Sequence, residues 1–203
     1  SLPEVQSLAS AIGMTGGSLL VSDDLPELPK DRLRIAQVLL PVIDQQAQIC
    51  DLFESHTPSL IRLDLENALG LWHLLAVFNW KDHPADLAFS PQKFNLPLEP
   101  IYWYQEFWSG EIGKMAISSP IIFEDMPAHG VRVIAAKKYQ PELPAYLGSD
   151  IHLSQRLEIS EWEVNANQIS LRIEVRRRAD GRISFYLPWE PSQARLDQRP
   201  YPI

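Results

Sequence analysis

The ten residues Leu71–Trp80, LWHLLAVFNW, constrain the fold more than any other stretch. They contain neither Gly nor Pro, and no formal charge if His73 is neutral. In a strand, successive side chains point to opposite faces. One face would carry Leu71, His73, Leu75, Val77 and Asn79, the other Trp72, Leu74, Ala76, Phe78 and Trp80. Both sets are mostly apolar, which predicts a central strand covered on both sides. The polar run Lys81-Asp82-His83-Pro84 ends it.

Short strands with turn signals surround this stretch. Ile61, Leu63 and Leu65 alternate with Leu60, Arg62 and Asp64, and Ala85–Ser90 is a shorter strand. Ile101–Trp108 is rich in aromatic residues, as strands are. Lys114–Ser118, Ile121–Phe123 and Val131–Ala136 follow, with turns at Ser109-Gly110 and Pro127-Ala128-His129-Gly130. This spacing indicates a mainly β protein built as an antiparallel β-sandwich. Residues 1–41 differ and read as helix, strand, helix. Val5, Leu8, Ala9 and Ile12 fall on one helical face, and Gly13 with Gly16-Gly17 ends that helix. Ser18–Ser22 is a strand too apolar to be exposed, closed by Asp23-Asp24. Pro29–Leu40 is a second helix with Leu33, Ala36, Leu39 and Leu40 as its buried stripe, stopped by Pro41.

The tail has a third texture. Ile169, Leu171, Ile173 and Val175 alternate with polar residues, and Ile183, Phe185 and Leu187 repeat the pattern beyond Asp180-Gly181. That dipeptide predicts a hairpin pairing Gln168–Arg176 with Arg182–Leu187. The apolar phase slips between Leu157, Ile159 and Trp162, Val164, which predicts a bulge near Ser160.

Charge and chemistry-bearing residues exclude several functions. The 203-residue chain carries a formal net charge of −8, which argues against nucleic acid and anionic membranes as partners. Charge is uneven: −9 over residues 1–150 and +1 over 151–203, where every cation is Arg. Arg176-Arg177-Arg178 is offset by neighbouring acids and reads as solvated surface. No run approaches the roughly 18 apolar residues of a membrane span. Cys50 is alone, which rules out an intrachain disulfide and suits a half-buried structural thiol. His56, His73, His83, His129 and His152 lack ligand spacing, so no metal and no cofactor is expected. His73 reads as a core imidazole. Neither a nucleophile elbow nor a phosphate loop is present. Asp23-Asp24 is the one carboxylate pair at the end of an apolar strand and suits a structural or pocket-rim role. Trp80, Trp103 and Trp108 could stack on sugars, although such residues on a double-sheet core more often pack inward.

Five stretches, in this order, resemble the C-terminal end of the α-galactosidase (melibiase) superfamily of retaining glycoside hydrolases. Gly16–Leu25 (GGSLLVSDDL), with Leu28, Arg32-Leu33 and Leu40-Pro41, resembles the last strand and last helix of that family's (β/α)8 barrel. Ala76-Val77-Phe78-Asn79-Trp80 resembles the strand opening its C-terminal β-domain, Phe107-Trp108-Ser109-Gly110 the next marker, and Pro127–Gly130 the turn before a closing strand. Leu147–Leu153 (LGSDIHL) resembles a linker that some bacterial members carry before extra β-strands.

The resemblance implies a division into 1–58, the end of the catalytic barrel; 59–147, the antiparallel sandwich; and 148–203, a linker with a small β-meander. It implies an α-galactosidase-like parent whose catalytic nucleophile and acid/base lie upstream of this stretch, so that no catalytic residue is carried over. Asp23 and Asp24 would border the substrate rim. Expected partners are a carbohydrate and the catalytic portion of the same protein, with a second copy of the chain as an option; a cytoplasmic setting is slightly favoured. The alternative is a stand-alone carbohydrate-binding or interaction module without catalysis. Under the first reading the Ser18–Ser22 strand needs flanking strands for its backbone N–H and C=O groups. A separate chain completing the barrel is the favoured source, ahead of packing on the β-domain or pairing with a copy. Exposure in a monomer, with both edges unpaired and no other polypeptide nearby, would overturn the barrel-strand reading.

Overall fold

The computed structural model describes residues 1–54, 56–97 and 99–202. Two helices come first, α1 (Leu2–Met14) and α2 (Lys30–Val38). Among the described residues fourteen strands follow: β1 (Gln48–Ile49), β2 (Leu60–Asn67), β3 (Gly70–Phe78), β4 (Ala85–Phe89), β5 (Ile101–Glu106), β6 (Ile112–Ala116), β7 (Ile121–Met126), β8 (Val131–Lys138), β9 (Ala145–Ser149), β10 (Ile159–Asn165), β11 (Gln168–Ile173), β12 (Ile183–Tyr186), β13 (Ala194–Leu196) and β14 (Arg199–Tyr201). Among the described residues no helix is long and apolar enough to cross a membrane.

The main sheet has the order β1-β2-β3-β8-β5-β6, and every pairing in it is antiparallel. β3 lies inside it, between β2 and β8, and is buried from Trp72 to Phe78. The period-2 alternation therefore feeds two separate cores. Trp72, Leu74, Ala76 and Phe78 join Leu63, Leu65, Val133 and Ala135 beneath the helices, against Met14, Ile35, Val38, Leu39 and Leu153. Leu75 and Val77 join Ile134 and Ala136 on the other face, under Phe89, Phe94, Phe123 and Met126. Phe89, Phe123 and Met126 belong to a two-stranded sheet, β4 with β7. The domain is thus three layers: helix pair, six-stranded sheet and two-stranded sheet.

The helices bury different faces from those expected. α1 opens with a capping box between Ser1 and Glu4 and buries Ser7, Ala9, Ser10 and Met14, while Leu8 faces solvent. Small residues turn inward because the helix approaches polar backbone and an indole: Ser7 Oγ donates to the His129 carbonyl, and Trp108 Nε1 donates to Ser10 Oγ at 3.1 Å. α2 buries Ile35 and Val38, with Leu39 at its C-cap, and leaves Leu40 exposed. The layer that both helices cover is the β-sheet of this chain itself, which is the second of the three outcomes considered above.

The strand expected at Ser18–Ser22 is not formed. Leu19 packs against the helix-side core, but Leu20 is 89% exposed and Val21 is exposed as well. Local β propensity does not order a strand without a neighbour for its peptide groups. The tail pairing also differs. β11 pairs with β10, through a tight turn in which Ala166 has φ 47°. β12 pairs instead with β9. Asp180-Gly181 is therefore not a hairpin turn between β11 and β12. Its neighbourhood is held from elsewhere: the Asp150 carboxylate accepts from Arg182 N at 2.6 Å, and the Asp180 carbonyl accepts from Arg34 at 3.3 Å. The expected bulge is present, as a register shift between Ile159 and Glu161.

Candidate functional site

The residues singled out from sequence do not converge. Asp23 and Asp24 are exposed, and Asp24 precedes a single 3-10 turn, Leu25–Glu27, without capping it through its side chain. Trp80 is 38% exposed, stacked on Phe78 with ring centroids 4.8 Å apart, and its Nε1 donates to the Pro58 carbonyl at 2.7 Å. Trp103 is 7% exposed, wedged between Tyr139 and Tyr186, with the Lys114 ammonium 5.2 Å from its ring centroid. Trp108 is half-buried against Phe107 and Ser10. Each indole has its own protein surroundings, and the three do not line one groove.

Two polar clusters were not singled out from the sequence, because nothing in residue type or spacing shows which side chains meet. In the first, adjacent strands bring Asp64 of β2 opposite His73 of β3. His73 Nδ1 lies 2.6 Å from Asp64 Oδ1, and Arg62 grips the same carboxylate through Nε and Nη2, each at 2.7 Å. Burial pushes the Asp64 carboxyl up, but the Arg62 and His73 hydrogen bonds outweigh it and hold the group below its ordinary range. Burial dominates at His73 and keeps the imidazole readily neutral. Arg62 also donates to the Phe94 carbonyl at 2.8 Å. The cluster ties two strands to the 94–95 turn, and both oxygens of its carboxylate are engaged by Arg62 and His73.

The second cluster is the stretch that resembles a linker. Residues 146–149 and 151–156 are buried, apart from Asp150 at the rim. Arg156 is 0% exposed. Its Nη2 donates to the Leu147 carbonyl at 2.6 Å, and its guanidinium lies 5.9 Å from the Trp72 ring centroid. Burial lowers its pKa to about 10. Glu158 accepts from Tyr146 at 2.8 Å and from Ser149 Oγ. Burial pushes its carboxyl up despite these donors. Trp72 Nε1 donates to the Ser154 carbonyl at 3.1 Å, and Asn67 Nδ2 donates to the Arg156 and Ile159 carbonyls at 2.8 and 2.9 Å. Burying charge of this kind costs free energy, so the cluster is weak evidence of added stability. No substrate can reach Arg156 in this arrangement.

The chemistry available is limited. Cys50 is half-buried and burial pushes its thiol up, away from a reactive thiolate. Among the described residues no group of three or more His, Cys, Asp or Glu side chains could hold a metal ion. Retaining glycoside hydrolysis needs two carboxyl groups about 5–5.5 Å apart flanking a substrate cleft. The acids described above are exposed, held by neighbouring Arg and His side chains, or fully enclosed.

Known structures place the fold. The chain resembles an α-galactosidase from Mortierella vinacea at 15% identity, covering 68% of this chain and 36% of that one with a TM-score of 0.56. It resembles a β-L-arabinopyranosidase from Geobacillus stearothermophilus at 14% identity, covering 68% and 30%, with a TM-score of 0.53. An α-galactosidase from Saccharomyces cerevisiae, solved with raffinose, is similar at 9% identity over 68% of this chain and 44% of that one, with a TM-score of 0.51. This chain thus matches well under two thirds of the length of these structures. No protein-family model matches it, and no curated protein matches it. The likeness establishes the fold alone: a mainly β, antiparallel domain that shares its architecture with part of each of these glycosidase structures.

Proposed function

We propose that this chain is the C-terminal portion of an α-galactosidase-like glycoside hydrolase that acts on α-galactosides or related sugars, its catalytic carboxylates supplied by polypeptide outside these 203 residues. The observation that carries the reading is the partial coverage: 68% of this chain aligns with only 30–44% of enzymes whose folds it shares. Residues 1–58 are then the last part of the catalytic barrel. The apolar Leu19-Leu20-Val21 segment, unpaired here, becomes its last strand once neighbours flank it. In the isolated chain the segment is exposed and forms no strand, so the proposal requires the flanking polypeptide. Asp23 and Asp24 would sit at the barrel mouth, where loops after barrel strands surround substrate. The β-domain would brace the final helices, and the buried Arg156 segment would lock the tail onto that brace.

Purified chain should show no turnover of an aryl α-galactoside. The same chain joined to its upstream coding sequence should show it. Turnover by the isolated chain that survives repurification and is lost in Asp24→Ala would reverse the assignment. The stand-alone binding reading rests on tryptophan exposure, and Trp103 and Trp108 are turned into protein contacts. Titration of neutral galactosides with no spectral response from Trp80 would close that route.

A further inference from the structure

Between the end of β8 and the face of β10 lies a cavity of about 230 Å³. Lys137, Lys138 and Gln140 contribute its polar wall, and Leu143, Trp162 and Val164 most of its apolar one. Lys137 is unlike the other lysines. The residue is half-buried and its ammonium donates to the Leu69 carbonyl, yet among the described residues it forms no ion pair. The charged group acting on it is Arg156, a second cation, and burial lowers its pKa to about 8. Its neighbour Lys138 is satisfied differently, in an ion pair with Glu99 at 2.8 Å. A desolvated cation without a counter-ion is costly, and one ammonium has three donors to satisfy. Trp162 lies near-parallel to Phe185, with ring centroids 6.4 Å apart. The exposed Leu143 and Val164 extend the apolar surface at the mouth.

We propose that this cavity binds a small organic carboxylate with a flat apolar body: the carboxylate pairs with Lys137, and the ring lies against Trp162, Leu143 and Val164. Ligand cavities commonly run from about 300 Å³ upward, so a single-ring ligand is the size that fits. Charge complementarity selects the anion, and the apolar walls select the body. The site is independent of the catalytic reading above and would stand if that reading failed.

The test is a titration of the full chain with benzoate, benzyl alcohol, acetate and galacturonate, read by Trp162 indole NMR shifts. Benzoate should bind at least tenfold tighter than benzyl alcohol, which lacks the charge, and than acetate and galacturonate, which lack the apolar body. Lys137→Met should weaken benzoate binding at least tenfold. Because that change removes a partly buried group, Leu143→Asp provides a second variant at an exposed rim position and should weaken benzoate comparably. Equal affinity for benzoate and benzyl alcohol would overturn the proposal, as would absence of binding or binding unaffected by both variants. Tighter binding of galacturonate would overturn the apolar-body assignment.

Discussion

His152 Nε2 lies 2.8 Å from the carbonyl oxygen of Pro41, while its Nδ1 meets Ser154 Oγ at 2.7 Å. One buried imidazole thus joins the residue that ends the helical segment to the most enclosed stretch of the chain. Burial lowers its pKa to about 4, so the folded state keeps it neutral where the unfolded chain would already be protonated. Between about pH 6.5 and 4 the unfolded state binds the extra proton, and stability falls as pH falls through that window. The full effect is on the order of 3 kcal/mol, complete below the folded pKa. Denaturant midpoints measured from pH 7 to 4 should show this loss, and His152→Gln should flatten that part of the profile. A variant profile parallel to that of the natural chain would remove His152 as the cause.

Asp150 should matter more than its position at the rim suggests. Its carboxylate accepts from Arg182 N at 2.6 Å and lies 3.1 Å from Arg34 Nη2, which also donates to the Asp150 carbonyl at 2.9 Å. It therefore links α2, the end of β9 and the approach to β12. Asp150→Ala should destabilise the chain by about 1–3 kcal/mol and speed amide exchange at Arg182. An unchanged Arg182 amide would show that the chain crossing is held by other contacts.

Leu20 offers a test of context. In this chain it is almost fully exposed, so Leu20→Asp should change stability by less than about 0.5 kcal/mol. In a longer polypeptide with flanking barrel strands, the same change would bury a charge and should prevent folding or cost several kcal/mol. Equal tolerance in both would sink the barrel-strand assignment for Ser18–Ser22.

The helix faces illustrate how far amphipathic spacing can be trusted. Leu8 continues an i, i+3, i+4 pattern yet lies outside, while Ser7 and Ser10 lie inside. Hydrophobic periodicity identifies a helix, but a small polar residue can occupy the contact face when the neighbouring surface offers hydrogen-bonding groups. Here those groups come from Trp108 and His129, about 100 and 120 residues further along the chain.

What the sequence by itself determined is local. The two-faced apolar alternation of Leu71–Trp80 specified an internal strand, Leu60–Leu65 its neighbour, and the phase slip before Trp162 a bulge, because side-chain direction in a strand follows position within a few residues. The tertiary structure decided the partners. β12 could satisfy its backbone beside either β11 or β9, and both offered an apolar face; β9 won, where Phe185 packs on Tyr146 and Arg177 donates to the Leu40 and Ile151 carbonyls. It also decided that Leu147–Arg156, with the composition of a connector, is buried apart from Asp150, against Trp72 and the helix-side core. The candidate cavity was illegible for the same reason: Lys137, Leu143 and Trp162 sit on separate segments. Pairing and burial depend on contacts between distant segments, whose free energies are comparable for competing partners until the whole core is assembled.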